Sequence, residues 1–280
     1  MKGRFVLGIA LLASTAMAGV SADSIAHQKK ISELKDVIGI WNFEDSFADS
    51  APGKNDARPG GNKAAVTFGP GVNGGRAVHI DNRNDEHNFV DVNTPIGSIF
   101  DQPKFSVVGW AKNEKVREVG GGDNWNSLVD RNSIWYASSH SIEVDGKLVS
   151  ELVVRIYNSG QGASTDQIGR LDGDTAPAKP GRLFHDNEWH QFGITYDGEK
   201  LISYMDGEVY AEFDYNGGVG PTEDFTSTSP DDNPNVNLTW GLWKQRGDDF
   251  TGSFDDTIYA SRALTADEIK GLYDAMLAKP

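Results

Sequence analysis

Three features of the sequence predict an all-β fold, an antiparallel sandwich or barrel. Turn residues are dense, with 32 glycines among 280 residues. Asp-Gly pairs at 145–146, 197–198 and 206–207 separate apolar or alternating runs, and both residues tolerate the positive φ of tight hairpins. Short runs of strand character recur with almost no helical periodicity: Phe105 to Trp110, Leu148 to Tyr157, Trp189 to Tyr196, Leu201 to Met205, Val236 to Leu242 and Phe254 to Tyr259.

Taken in chain order, the sequence opens on an export signal. Lys2 and Arg4 precede the apolar run Phe5 to Ala13, which is too short to span a bilayer, and small residues follow. Cleavage after Ala18 or after Ala22 fits, so residues 1–22 are read as a signal and the mature protein as secreted or periplasmic. Residues 23–38 form a lead-in, within which the polar, Lys-rich stretch 24–37 reads as a surface helix or a mobile segment. The domain proper is expected over 39–280.

Residues 159–182 and 214–235 are rich in Gly, Pro, Asp, Ser and Thr and read as long loops, of a length that commonly shapes binding sites. Near the end, Thr265 and Glu268 make a capping box. Ile269, Leu272, Tyr273 and Met276 then recur at helical spacing, predicting a short carboxy-terminal helix packed on the sandwich.

Cysteine is absent, which excludes disulfides, thiolate metal sites and a cysteine nucleophile. The net charge of −15 argues against nucleic acid, since phosphate binding needs a basic face. No other stretch is apolar enough to cross a membrane. The acidic balance suits a soluble chain or a calcium-binding one.

Several segments together resemble the laminin-G-like branch of the concanavalin A-like lectin/glucanase superfamily. They are Gly39-Ile-Trp-Asn-Phe-Glu-Asp45, Gly75-Arg-Ala-Val-His-Ile-Asp81, Phe105-Ser-Val-Val-Gly-Trp-Ala-Lys112, Glu188 to Gly198, Tyr204-Met-Asp-Gly-Glu208, and Phe250 to Asp256 running into Arg262-Ala-Leu-Thr265. The resemblance covers most of 39–277. It implies a jelly roll of two curved antiparallel sheets, often with a structural calcium, whose concave face or rim handles glycans. The same fold hosts lectins, hydrolases and lyases, so activity must be argued from sites.

Glycoside hydrolysis is disfavoured. Hydrolases of this superfamily carry Glu-x-Asp-x-x-Glu on one strand, which is missing here, and the adjacent Asp255 and Asp256 point to opposite faces of a strand. Calcium is the better use of the acids, and Glu44, Asp49, Asp255 and Asp256 are the expected ligands because the two ends of a jelly-roll chain run side by side. Asp231, Asn233, Asn235 and Asn237 alternate like part of an EF-hand loop but lack its glycine and terminal glutamate.

The strand ending at Tyr157 is the most informative. Alternation puts Leu152, Val154 and Ile156 on the core face and Arg155 and Tyr157 on the other. With Arg131, Trp135, Tyr136 and His140 upstream and Trp243, Lys244 and Arg246 downstream, they suit an anionic polysaccharide in a concave groove. Arginine forks onto carboxylates while aromatic rings stack on sugar faces. Trp135, Tyr136, Trp243, Lys244 and Arg246 are the expected glycan contacts, and Trp125 is a further candidate platform.

The expected function is polysaccharide binding by a monomer. The alternative is a lyase cleaving a uronate polymer by β-elimination, with Arg155 or Arg131 neutralising the substrate carboxylate and Tyr157 or His140 as base and acid. The plain structural alternative pairs Arg155 with Glu151 and leaves Tyr157 as strand filling.

Overall fold

The computed structural model describes residues 22–84, 86–114, 125–131, 134–144, 147–156, 186–220, 237–242 and 249–277. The expected signal and most of the two long loops lie outside these residues.

Two antiparallel sheets face each other. Among the described residues the strands are β1 (Val37–Trp41), β2 (Arg58–Gly60), β3 (Val66–Pro70), β4 (Arg76–Ile80), β5 (Phe89–Val92), β6 (Phe105–Asn113), β7 (Trp125–Arg131), β8 (Trp135–Val144), β9 (Lys147–Ile156), β10 (Trp189–Tyr196), β11 (Lys200–Met205), β12 (Glu208–Asp214), β13 (Leu238–Trp240) and β14 (Gly252–Ala260). Two helices are α1 (Ala22–Glu33) and α2 (Ala266–Leu277). The larger, eight-stranded sheet has the order β12-β11-β10-β6-β14-β4-β3, with β1 paired to β14; the six-stranded sheet runs β2-β5-β13-β7-β8-β9. This is the concanavalin A-like sandwich that the sequence predicts.

The first and last strands pair, β1 on β14, so the chain ends lie together. Turns close the hairpins at two of the Asp-Gly signals, 197–198 and 206–207, while 145–146 lies outside the described residues. Met205 pairs with Glu208 across Asp206 and Gly207, which have φ of 53° and 76°, and a Cβ on Gly207 would stand 2.9 Å from the Tyr273 side chain.

The core fills the space between the sheets. Phe105 stacks on Trp135 at 5.2 Å, and Trp41 meets Trp240 edge-on at 5.1 Å. Trp41, Trp135 and Trp240 are wholly buried. Outside the larger sheet a second apolar layer forms, because β6 alternates: Phe105, Val107 and Ala111 face inward while Val108 and Trp110 face out. Ile269 and Leu272 of α2 and Ile31 of α1 cover Val108, Tyr204 and Ile258, and Tyr273 stacks on Trp110 at 5.5 Å. Each such buried aliphatic side chain stabilises the fold by about 1.5–3 kcal/mol.

The capping box at α2 forms in both directions: the Glu268 amide donates to Thr265 Oγ1 at 3.2 Å, and the Thr265 amide donates to Glu268 Oε2 at 2.8 Å. The lead-in differs from a mobile segment or plain surface helix. It is helical, with His27 and Ile31, one turn apart, buried against the domain. A stripe this narrow leaves the rest of the helix polar, which is why periodicity alone does not reveal the packing. No described helix is long and apolar enough to cross a membrane.

Candidate functional site

The outer face of the six-stranded sheet gathers several of the expected site residues. On β9, Leu152, Val154 and Ile156 enter the core, so Arg155 points outward; on β8, Trp135 and Ala137 enter the core, which turns Tyr136, Ser138 and His140 outward. Asp130, Tyr136 and Arg155 then stand side by side on β7, β8 and β9, and Trp125 stands beside His140. The row continues across the sheet through Thr239 and Asp91 to Arg58, which forks onto Asp91 at 2.8 and 3.2 Å.

Four of these side chains form one cluster. The Arg155 guanidinium lies 4.8 Å from the Trp125 ring centre and 5.3 Å from that of Tyr136. Trp125 stacks on His140 at 4.2 Å and meets Tyr136 edge-on at 6.5 Å. The two rings stand at 88° to each other, so the guanidinium sits in the corner they form and gains cation–π attraction from both. Trp125 and Arg155 are half-buried, while Tyr136 and His140 are each only 4% exposed. Trp125 and Arg155 are therefore the partly exposed members of the cluster, with the phenol and imidazole buried beside them.

Other expected site residues are placed differently. Trp135 is not a glycan contact: adjacent strand residues point to opposite faces, and Trp135 takes the inner one, against Phe105 and Tyr259. Arg131 is not in a groove either. It is 1% exposed, and its guanidinium donates to Phe100 O at 2.6 Å and to Thr94 O at 3.4 Å while pairing with Asp101 at 2.5 Å. It pins the 94–101 loop from beneath and sits near Tyr259, whose hydroxyl burial pushes up to about 12. Tyr157, Trp243, Lys244 and Arg246 lie outside the described residues.

Of the four expected calcium ligands, Asp49 takes no part. It is buried, and it accepts from the amides of Ile40, Ala51 and Asn55 at 2.8, 2.8 and 2.9 Å, which makes it the brace of the loop after β1. Glu44, Asp255 and Asp256 do converge, at a bulge in β14. Asp255 accepts from the amides of Val72 and Asp256 at 3.0 and 2.9 Å. Burial, then the Asp256 and Glu44 charges, raise its carboxyl well above the usual range, and burial likewise raises Glu44. Glycines make the room: a Cβ on Gly71 would lie 2.4 Å from Asp255 Oδ2, and one on Gly75 would lie 2.6 Å from Glu44 Oε1. Among the described residues no three His, Cys, Asp or Glu side chains already stand in a metal shell. A cation here would be held by Glu44 and Asp255 together with oxygens that are not carboxylates. Asn237 of the EF-hand-like run donates to Asp91 at 2.5 Å; Asp231, Asn233 and Asn235 lie outside the described residues.

His190, beside the structural Trp189, bridges Asp206 at 2.8 Å and Asp186 at 3.1 Å. It tethers the β11–β12 hairpin and stands on the other sheet from the cluster.

Comparison with solved structures shows the same fold at low identity. Domain 4 of an extracellular arabinanase from Geobacillus stearothermophilus, solved with arabinotriose, aligns with a TM-score of 0.55 and 14% identity over 85% of this chain and 98% of that one. The binding domain of Paraclostridial mosquitocidal protein 1 gives 0.55 and 13% over 86% of this chain, and that of botulinum neurotoxin DC in complex with SialylT gives 0.51 and 14% over 86%. The chain spans about half the length of these two toxin domains, 52% in each case. No curated protein sequence matches it. A family model described as the concanavalin A-like lectin/glucanases superfamily matches residues 124–270, more than half of the chain, and the protein belongs to that family.

Proposed function

We propose that this is an exported domain that binds an anionic polysaccharide through Trp125 and Arg155 on the outer face of the six-stranded sheet. The observation that carries the reading is the arginine set in the corner of two aromatic rings, 4.8 and 5.3 Å from their centres, one of them the partly exposed indole of Trp125. The indole suits the apolar face of a sugar ring, and the fork suits a carboxylate or sulfate. The saccharides bound to the arabinanase domain and the toxin domain make a sugar ligand the natural first test. The segment 1–22 supplies the route out of the cell, and Glu44 with Asp255 is the proposed seat of a structural calcium.

Binding is favoured over β-elimination because His140 and Tyr136, the acid–base groups that touch the cluster among the described residues, are buried beside Trp125 and Arg155. The mature protein is incubated with uronate polymers and followed by affinity electrophoresis and by the ultraviolet absorbance of unsaturated products. Retardation without absorbance, lost in Arg155→Ala, is the expected result. Absorbance that vanishes in Arg155→Ala would replace binding by the lyase reading. Retardation that survives Arg155→Ala and Trp125→Ala would place the site elsewhere.

A further inference from the structure

On the outer face of the eight-stranded sheet, α1 and α2 cover Val108, Trp110, Tyr204 and Ile258, and a polar row lies toward one end. There Thr67, His79, Ser253, Lys112 and Trp189 form a row across β3, β4, β14, β6 and β10. Beside this row lies a cavity of about 600 Å³ lined by Arg83, Lys112, Glu114, Asn187 and Thr251. All five carry polar side chains, and the volume falls within the ~300–1,000 Å³ of ordinary ligand pockets, enough for one or two sugar rings.

The charges here run against the rest of the molecule. In a chain of net charge −15, two cations, Arg83 and Lys112, line one cavity with a single carboxylate. Arg83 already reaches Asp81 at 3.4 Å. Lys112 is half-buried, and among the described residues no carboxylate stands within ion-pair distance of it. That leaves the Lys112 ammonium for an anionic group brought into the cavity by a ligand. The Glu114 carboxylate on the cavity wall stands 3.8 Å from His79 Nδ1, which also meets Ser253 Oγ at 3.2 Å. Trp189, paired with Lys112 across β10 and β6, packs on the Trp110 and Met276 cluster yet stays partly exposed.

We infer that this cavity is a second saccharide site, in which Lys112 takes an acidic group on the sugar and the exposed Asn187 takes hydroxyls, over a floor at Thr251, whose hydroxyl is held by the Asn82 amide. It shares no residue with the Trp125–Arg155 cluster and lies on the opposite sheet, so either site can fail without the other. With both occupied, one domain holds two polymer chains, or two points of one chain, and gains avidity without new contacts.

The test titrates ¹⁵N-labelled mature protein with oligogalacturonate, a sulfated oligosaccharide and a neutral cello-oligosaccharide, following backbone amides and tryptophan indoles. In Arg155→Ala the acidic probes still shift the amides of Lys112, Glu114 and Thr251 and the Trp189 indole. In Lys112→Ala these shifts weaken by about tenfold or more, as for loss of one charge-assisted contact, while any shift at Trp125 persists. Shifts at Trp125 alone, with none around Lys112 for either acidic probe, overturn the inference. So does a Lys112→Ala titration matching wild type, or an equal response to the neutral probe. Shifts around Lys112 with none at Trp125 support the second site and count against the first.

Discussion

The two sheets turn very different outer faces away from the same core. On the larger sheet, β6 and β14 present Val108, Trp110 and Ile258, and helices from both ends of the chain cover them. On the smaller sheet, the corresponding outward positions are Arg58, Asp91, Thr239, Asp130, Tyr136 and Arg155, a row in which every member carries a polar group. Strand alternation produces both faces, and only the chemistry of the outward residues differs. An apolar outer face must be covered to be stable, and here it spends α1 and α2. The polar outer face, with Arg155 in the corner of Trp125 and Tyr136, is the one proposed for recognition.

The contrast predicts that substitutions on the two faces separate stability from binding. Leu272→Ala, beneath the helix cover, destabilises by about 2–5 kcal/mol through lost burial and a residual cavity. Thermal unfolding will read this, and saccharide affinity at low temperature stays as in wild type. Trp125→Ala does the reverse. It weakens acidic polysaccharide binding by about tenfold, for a loss of ~1–2 kcal/mol of stacking and cation–π contact, with little change in Tm. A variant of either face that moves both quantities together would erase the distinction.

The junction of the chain ends gives two smaller tests. The folded Asp255 carboxyl is raised, so its burial opposes folding above the ordinary carboxylate range, and that part of the stability is lost as pH rises. In chelator at neutral pH, Asp255→Asn is therefore expected to melt above wild type. Added calcium should raise the wild-type Tm and leave the variant unmoved; equal calcium responses would count against Glu44 and Asp255 as its seat.

Glu268 has the opposite sign. The forked contacts from Arg262 at 2.6 and 2.8 Å hold its carboxyl down to about 2. Its contribution is complete above the ordinary glutamate range and is lost as pH falls toward 2. Glu268→Gln should cost ~1 kcal/mol at neutral pH, with the gap to wild type closing in acid, as read by denaturant unfolding at a series of pH values.

Much of the fold was legible because its signals are local. The Thr265–Glu268 capping box, the Asp206-Gly207 turn and the alternation of Leu152, Val154 and Ile156 each act within a few residues. The site was legible only in part. Trp135 and Tyr136 both suggested glycan contact, yet neighbours on a strand cannot share a face, and which one faces out depends on register with β7 and β9. Arg131 was obscured by a bulge. Without it, Trp125 and Arg131, six apart, would share a side; the register shift between Ser127 and Val129 inverts the alternation, so Trp125 stays outward and Arg131 turns into the core. Pairing of this kind is set by partner strands distant in sequence. Asp49 illustrates the same limit: as an acid near the chain end it suggested a cation ligand, and the backbone amides that claim it come from the loop folded around it.

The most direct test of the account follows the seven tryptophan indoles of the ¹⁵N-labelled protein while a uronate polymer is added. The Trp125 indole is predicted to shift in step with binding, and that response should disappear in Arg155→Ala while the buried Trp41, Trp135 and Trp240 indoles keep their positions. Saturable binding that leaves Trp125 unmoved would contradict the assignment of the smaller sheet's outer face as the recognition surface.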